Sequence, residues 1–357
     1  PCRVLVGQFC PLRGCISYAC LGVTWRAVGG GGYLVARRAL SPVQQAACGL
    51  LVAVMLLLYL LVILFSLRLS AWQGRELFPA LSRTCGVVGV GVLGKDGAEK
   101  AGMCGGCGDY DLDGHLDIFK THFADDANGL FHNDGKGNFD DVTLSSRVGV
   151  ETRYICWGVG IVDLDNDGYP DLFMVTGNVY PEIERKLPQY ANKTPRVVFR
   201  NLGNGTFEEL GIEAGPGIID AHSSRGCAFG DFDNDGDLDI LIVNLNEPPS
   251  LLRNDTGGKQ NWIKVKLEGV KSNRSGIGTR VLVRYGGKVQ AQAVLSQSSF
   301  YSCNDPRLHF GLGSSNKVDI EIFWPNGWHE KHSQVTANQL VTFKEGAGLI
   351  PSRASMV

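Results

Sequence analysis

Three aspartate-rich stretches stand in one register in this chain: DYDLDGHLD at residues 109–117, DLDNDGYPD at 163–171 and DFDNDGDLD at 231–239. Each places aspartate at positions 1, 3, 5 and 9 and glycine at position 6, where a sharp turn needs a permissive backbone. Carboxylates this close repel one another unless something positive sits among them. A motif repeated with starts 54 and 68 residues apart also implies a repeated structural unit.

The flanks of each cluster define that unit. Apolar, small-residue stretches such as CWGVGIV and RGCAFG precede the clusters and suit buried strands approached closely by neighbouring backbone. The segments IFKTHF, LFMVTG and ILIVNL follow. Further on come LFHNDGKGNFDDVT, VFRNLGNGTFEEL and a shorter LLRNDTGG. Asn133 with Gly135, and Asn201 with Gly203, sit just before Phe139 and Phe207, which reads as strand, tight turn, strand. A unit of about 60 residues with several short strands is one propeller blade. The fold class is therefore all-β, a partial β-propeller of three such blades. A closed propeller needs about four to eight blades. Either further blades lie upstream, with residues 1–103 in their place, or chains assemble to close the ring. The chain opens on Pro1 rather than Met, which favours a truncated or misassembled N-terminus.

Odd-numbered side chains converging around a turn put hard oxygens on one centre, the preference of Ca²⁺ with its roughly six to eight oxygen ligands. The proposed set in the first loop is Asp109, Asp111, Asp113 and Asp117, with the backbone carbonyl of His115. In the second it is Asp163, Asp165, Asp167 and Asp171, with the carbonyl of Tyr169. In the third it is Asp231, Asp233, Asp235 and Asp239, with the carbonyl of Asp237. No thiol or paired imidazole points to a softer metal. An EF-hand would need a bidentate glutamate at position 12 between two helices. Position 12 is Lys120, Met174 or Ile242, and strand-like residues follow. Three structural calcium sites are expected.

Charge is segregated along the 357 residues. Residues 1–106 carry 10 basic and 3 acidic side chains, residues 107–257 carry 11 and 27, and residues 258–357 carry 13 and 6. The acidic middle argues against nucleic acid as a partner. The basic end alternates with period 2 in WIKVKLEGV, GTRVLVRYGG, KVQAQAVLS, KVDIEIFWPNG and QLVTFKEG, which predicts a small antiparallel sandwich of about five to seven strands. The resulting boundaries are 1–101, 102–257 for the repeats, 258–346 for the sandwich and 347–357 for a tail. The lysines and arginines lie mainly on polar faces, as a solvated face or as a docking face for the acidic repeats or a polyanionic glycan.

Residues 46–67 carry no charge over 22 positions, long enough to span a bilayer. A membrane anchor, a segment foreign to the folded protein and a buried helix all remain open. The Gly-rich stretches at 29–32 and 85–108 predict little order. CGGC at 104–107 has no second Cys or His pair to make a zinc site. Cys107, Cys156 and Cys227 fall in apolar runs and read as small core residues, and the odd total of 11 cysteines spells no disulfide framework. Asp220, His222 and the serines beside them hint at a base and nucleophile, but no Gly-x-Ser-x-Gly elbow is present. Paired carboxylates of a glycosidase are less economical than metal as an account of the regular register. Asn192, Asn204, Asn254 and Asn273 head sequons that are glycosylated only in a eukaryotic secretory route.

The repeats resemble FG-GAP/VCBS repeats, the calcium-loop blades also found in integrin α-subunit propellers. The run RSGIGTRVLVRYGG, SQSSFYSCNDPRLHFGLG and VDIEIFWPNG resembles the ASPIC/UnbV domain, in the order seen in the cartilage acidic protein family and its bacterial members. The resemblance implies a secreted or membrane-tethered calcium-binding propeller with a β-rich C-terminal module. It implies a non-enzymatic adhesion or matrix role with an extracellular protein or glycan as partner. The alternative is a carbohydrate-binding accessory part of a secreted polysaccharide-active enzyme.

Overall fold

The computed structural model describes residues 101–150, 152–256, 258 and 260–350, and two strands near the N-terminus. Those strands, β1 (Val23–Val28) and β2 (Gly31–Ala36), pair antiparallel within a unit of their own. The charge-free segment 46–67 lies outside the described residues. No helix among the described residues is long and apolar enough to cross a membrane.

From Gly102 the chain lays down antiparallel meanders. The first blade is β3 (Gly102–Gly108), β4 (Asp117–His122), β5 (Gly129–Asn133) and β6 (Phe139–Asp141), paired in that order. The second is β7 (Cys156–Val162), β8 (Asp171–Thr176), β9 (Val197–Asn201) and β10 (Phe207–Leu210). The third has only β11 (Ser224–Gly230), β12 (Asp239–Asn244) and β13 (Ser250–Leu252), because LLRNDTGG carries no phenylalanine strand after its turn.

Alternation on the central strands builds the arc. Phe119 and Leu130 of the first blade pack with Leu172, Met174, Val197 and Phe199 of the second. The other face of the second blade, with Phe173, Val175 and Val198, packs with Cys227, Phe229, Ile240 and Ile242 of the third. Each fully buried side chain of this size contributes about 1.5–3 kcal/mol. β8 is thus buried on both faces, whereas Leu241 and Val243 of β12 are exposed.

The glycine-rich 102–108 region, where little order was expected, is the first strand of the first blade. The glycines serve close approach. A Cβ on Gly106 would stand 3.2 Å from Val159, and one on Gly158 would stand 2.9 Å from the backbone nitrogen of Cys227. The first strands of successive blades therefore lie backbone against backbone.

The C-terminal module is a sandwich of two four-stranded sheets. One runs β17 (Leu308–Gly313), β14 (Asn261–Glu268), β20 (Gln339–Lys344), β21 (Gly348–Ile350). The other runs β16 (Lys288–Ala293), β15 (Arg280–Tyr285), β18 (Lys317–Phe323), β19 (His329–Thr336). Val265, Val283, Phe310, Ile320 and Phe343 lie in its core. Two details differ from the sequence reading. β14 and β20 pair in parallel, since the chain crosses to the other sheet and back between them. The domain also runs past residue 346, because β21 pairs with β20 through Phe343 and Leu349.

Residues 298–305, between β16 and β17, leave the sandwich and enter the arc. Gly226 lies against Ser302 and the Phe300 carbonyl, the register in which Gly158 meets the following blade. The Asp305 amide donates to the Phe229 carbonyl at 2.9 Å. Ser299 Oγ accepts from the Val159 amide at 2.7 Å, and Phe300 packs on Trp157 with centroids 5.0 Å apart. This segment occupies the place of a next blade's first strand.

Candidate metal centres

Each aspartate loop joins the first strand of a blade to its second. Position 4 is left-handed in all three, at Leu112 (φ 63°), Asn166 (φ 59°) and Asn234 (φ 62°), and position 6 is left-handed at Gly114, Gly168 and Gly236. The two reversals curl the loop so that the side chains of positions 1, 3 and 9 converge. Carboxylate oxygens of Asp109, Asp111 and Asp117 lie within 4.8 Å of one another, as do those of Asp163, Asp165 and Asp171, and those of Asp231, Asp233 and Asp239. Positions 1, 3 and 9 are thereby brought together three times.

One oxygen of each position-1 carboxylate is committed to the fold. Oδ2 accepts from the position-6 amide: Gly114 to Asp109 at 3.0 Å, Gly168 to Asp163 at 2.8 Å, Gly236 to Asp231 at 2.9 Å. The other oxygen, Oδ1 of Asp109, Asp163 and Asp231, is buried without a hydrogen-bond partner. A buried carboxylate oxygen left bare is costly. The same orphan in three register-equivalent loops fits a hard divalent cation.

The position-9 carboxylates stitch loop to hairpin. Asp117 accepts from the amides of Tyr110 and Asn133, Asp171 from Leu164 and Asn201, and Asp239 from Phe232 and Asn254. Position 5 also braces the turn, and in the first loop the Asp113 carboxylate lies within 4.8 Å of Asp111 and His132. Asp113, Asp167 and Asp235 each accept the amide of position 7, from His115, Tyr169 and Asp237, at 2.7–2.9 Å. Position-7 side chains have tasks of their own. Tyr169 packs on Gly203 of the hairpin turn, His115 pairs with Asp113, and Asp237 accepts from Asn166 at 3.0 Å.

Burial raises the carboxyl pKa values. Asp109 is pushed up to about 8 by desolvation, with the charges of Asp113 and Asp111 adding to it. Asp117 is pushed up to about 9 by burial, with Asp111 and Asp109 nearby. Asp163 and Asp171 are held well above the usual carboxylate range for the same reason. A Ca²⁺ held by these carboxylates would reverse this balance by pairing the ionised forms.

Residues that the motif did not reveal complete the site. Asn201 donates to the carbonyls of Tyr110 and Pro170, at 2.8 and 2.9 Å, clasping the first loop to the second. Asn254 donates to the Leu164 carbonyl, clasping the second to the third. Their recurrence one residue ahead of each turn was the available signal. Of the sequon asparagines, Asn204 and Asn273 are exposed, Asn192 is half-buried, and Asn254 has its amide nitrogen engaged in that clasp.

The remaining candidates find structural partners. His222 pairs with Glu247 at 2.7 Å, while Ser223 accepts from Arg225 and Ser224 donates to Asn244. Cys156 and Cys227 are buried in the blade cores, Cys104 and Cys107 are half-buried, and Cys303 is exposed.

Residues 109–174 and 190–242 match the FG-GAP-like repeat, and residues 269–350 match the ASPIC and UnbV domain. The chain thus consists, from the first aspartate loop onward, of FG-GAP-like repeats followed by an ASPIC/UnbV domain. Cartilage acidic protein 1 of Mus musculus is 27% identical over 57% of this chain, and that of Homo sapiens is 26% identical over 57%. The Xenopus tropicalis protein of the same name is 28% identical. The chain spans about two fifths of the length of these relatives, at 39%, 38% and 39% respectively.

Proposed function

We propose that this protein is an extracellular, calcium-binding, propeller-type binding protein without catalytic activity, acting in matrix or cell-surface adhesion. The observation that carries the calcium reading is the threefold carboxylate triad with its bare, buried Oδ1. The relatives' name, cartilage acidic protein, supports a place outside the cell. Calcium here stiffens the loops and leaves the outer faces of the blades to engage a partner.

A cleft of about 610 Å³ lies between the second and third blades. Val198, Leu210, Ile218, Ile240 and Leu252 line it, and Arg200, Glu213 and Arg253 add charge. It has no aromatic platform among its lining residues, which favours a peptide with apolar side chains over a sugar. Calorimetric titration with Ca²⁺, followed by glycan-array and extracellular-protein panels with and without Ca²⁺, tests this reading. Calcium-dependent binding to a protein is the expected result, and polysaccharide hydrolysis or an absence of calcium binding overturns it.

A further inference from the structure

All three loops touch the sandwich, but with different chemistry. In the first, Asp109 Oδ2 accepts the Ala291 amide at 2.8 Å, and Arg280 donates to the Gly114 carbonyl at 2.6 Å. In the second, the Tyr285 hydroxyl donates to the Gly168 carbonyl at 3.0 Å and the Gly313 amide donates to the Asn166 carbonyl at 2.9 Å. Gly311 lies so close to Asp163 Oδ2 that any side chain there would overlap it. Lys288 reaches this loop at the Asp167 carbonyl, 3.5 Å away, and over the Tyr169 ring. In the third, Lys264 Nζ donates to Asp231 Oδ2 at 2.6 Å, with both side chains buried. Trp262 packs over Gly236, and Arg307 donates to Asn234 at 3.1 Å.

The difference lies in where the positive charge falls. Arg280 and Lys288 meet backbone carbonyls, whereas Lys264 meets the position-1 carboxylate itself. We propose that Lys264 fastens the sandwich to the third loop whether or not calcium is bound, whereas the first and second loops hold it only when calcium occupies them. This rests on the calcium reading above. Without calcium the Oδ1 atoms of Asp109 and Asp163 stay buried with no partner, and relaxation of either loop to reach water displaces the Asp109 carboxylate or the Asn166 carbonyl that the sandwich uses. Lys264 does not compete for the ion's position, since it takes Oδ2 and leaves Oδ1 of Asp231 bare. Calcium withdrawal then opens the arc–sandwich interface about the third loop as a hinge.

The test is residue-resolved hydrogen exchange on the full chain, in Ca²⁺ and in the chelator BAPTA, with calorimetry on the same preparation. The Ala291 and Gly313 amides, which donate to the first and second loops, should exchange at least tenfold faster after chelation. The Asp305 amide, bonded to Phe229 beside the third loop, should change less than twofold. In Lys264→Met, purified in Ca²⁺ and then chelated, Asp305 should accelerate with the others. Equal acceleration at all three amides of the wild type, or none at Ala291 and Gly313 despite measured calcium binding, overturns the proposal. Calorimetry showing no calcium binding overturns the calcium reading itself.

Discussion

Asp163 shows how one side chain serves fold and site together. Its Oδ2 closes the loop on Gly168 and its Oδ1 is the bare oxygen. Asp163→Asn keeps the shape but halves the acceptor capacity, so it should remove one calcium site and about a third of the calcium-induced rise in Tm. Differential scanning fluorimetry with and without Ca²⁺ checks this. The clasp residue Asn201 makes a different prediction. Asn201→Ala leaves two buried carbonyls short of a donor, and should cost about 1–3 kcal/mol in urea denaturation whether or not calcium is present. At this scale the sequence was informative for positions 1, 3, 6 and 9, since carboxylate and glycine chemistry fixes them. It was silent on the second task of position 5, whose carboxylate accepts the position-7 amide. It was silent too on Lys264, whose partner lies 33 residues away across a domain boundary.

The pH response also belongs to these residues. In the calcium-free protein Asp109 and Asp117 have folded pKa values of about 8 and about 9, against roughly 3.9 when unfolded. The folded state then binds more protons than the unfolded one between those limits, so stability is highest at low pH and falls as pH rises toward 9. The chelated protein should lose Tm steadily from pH 5 to pH 9. The calcium-loaded protein, with ligands already ionised, should show no such loss. Parallel slopes in the two series would contradict the assignment of these carboxylates as ligands.

Among the elements, the strands that follow the aspartate loops are those that their apolar runs reveal, and the glycines of the preceding strands carry information that a sequence pattern misses. A stretch such as GMCGGCG reads as disorder until a neighbouring strand is placed against it. Gly158→Ala should therefore destabilise the arc by about 1–3 kcal/mol, since its new Cβ meets the backbone of Arg225 and Cys227, which cannot swing aside. Denaturant unfolding measures it, and a neutral result would mean the first strands are not in backbone contact. β19 (HEKHSQVT) escaped detection for another reason. It is an edge strand with mostly polar side chains on both faces, so no alternation marks it. The parallel pairing of β14 with β20 is equally invisible locally, because it depends on the path of the chain between them.

For the whole molecule, the arc of three blades does not stand alone. Residues 298–305 fill the place beside β11 that a further blade's first strand would take, and the sandwich covers all three aspartate loops. The order of the two modules was legible in the sequence. Their mutual fit was not, because no repeat or period encodes a contact between unlike domains. The aspartate loops thus lie at the junction of the modules, and on the calcium proposal the stability of both should depend on the ion. Three sites contributing about 1 kcal/mol each at millimolar Ca²⁺ correspond to a rise in Tm of about 6–12 °C for a folded region of this size. The most direct measurement is a thermal melt of the full chain in millimolar Ca²⁺ and in BAPTA. The account predicts a rise within that range, reversed by re-chelation and not reproduced by Mg²⁺, and identical melting temperatures in the two conditions would contradict it.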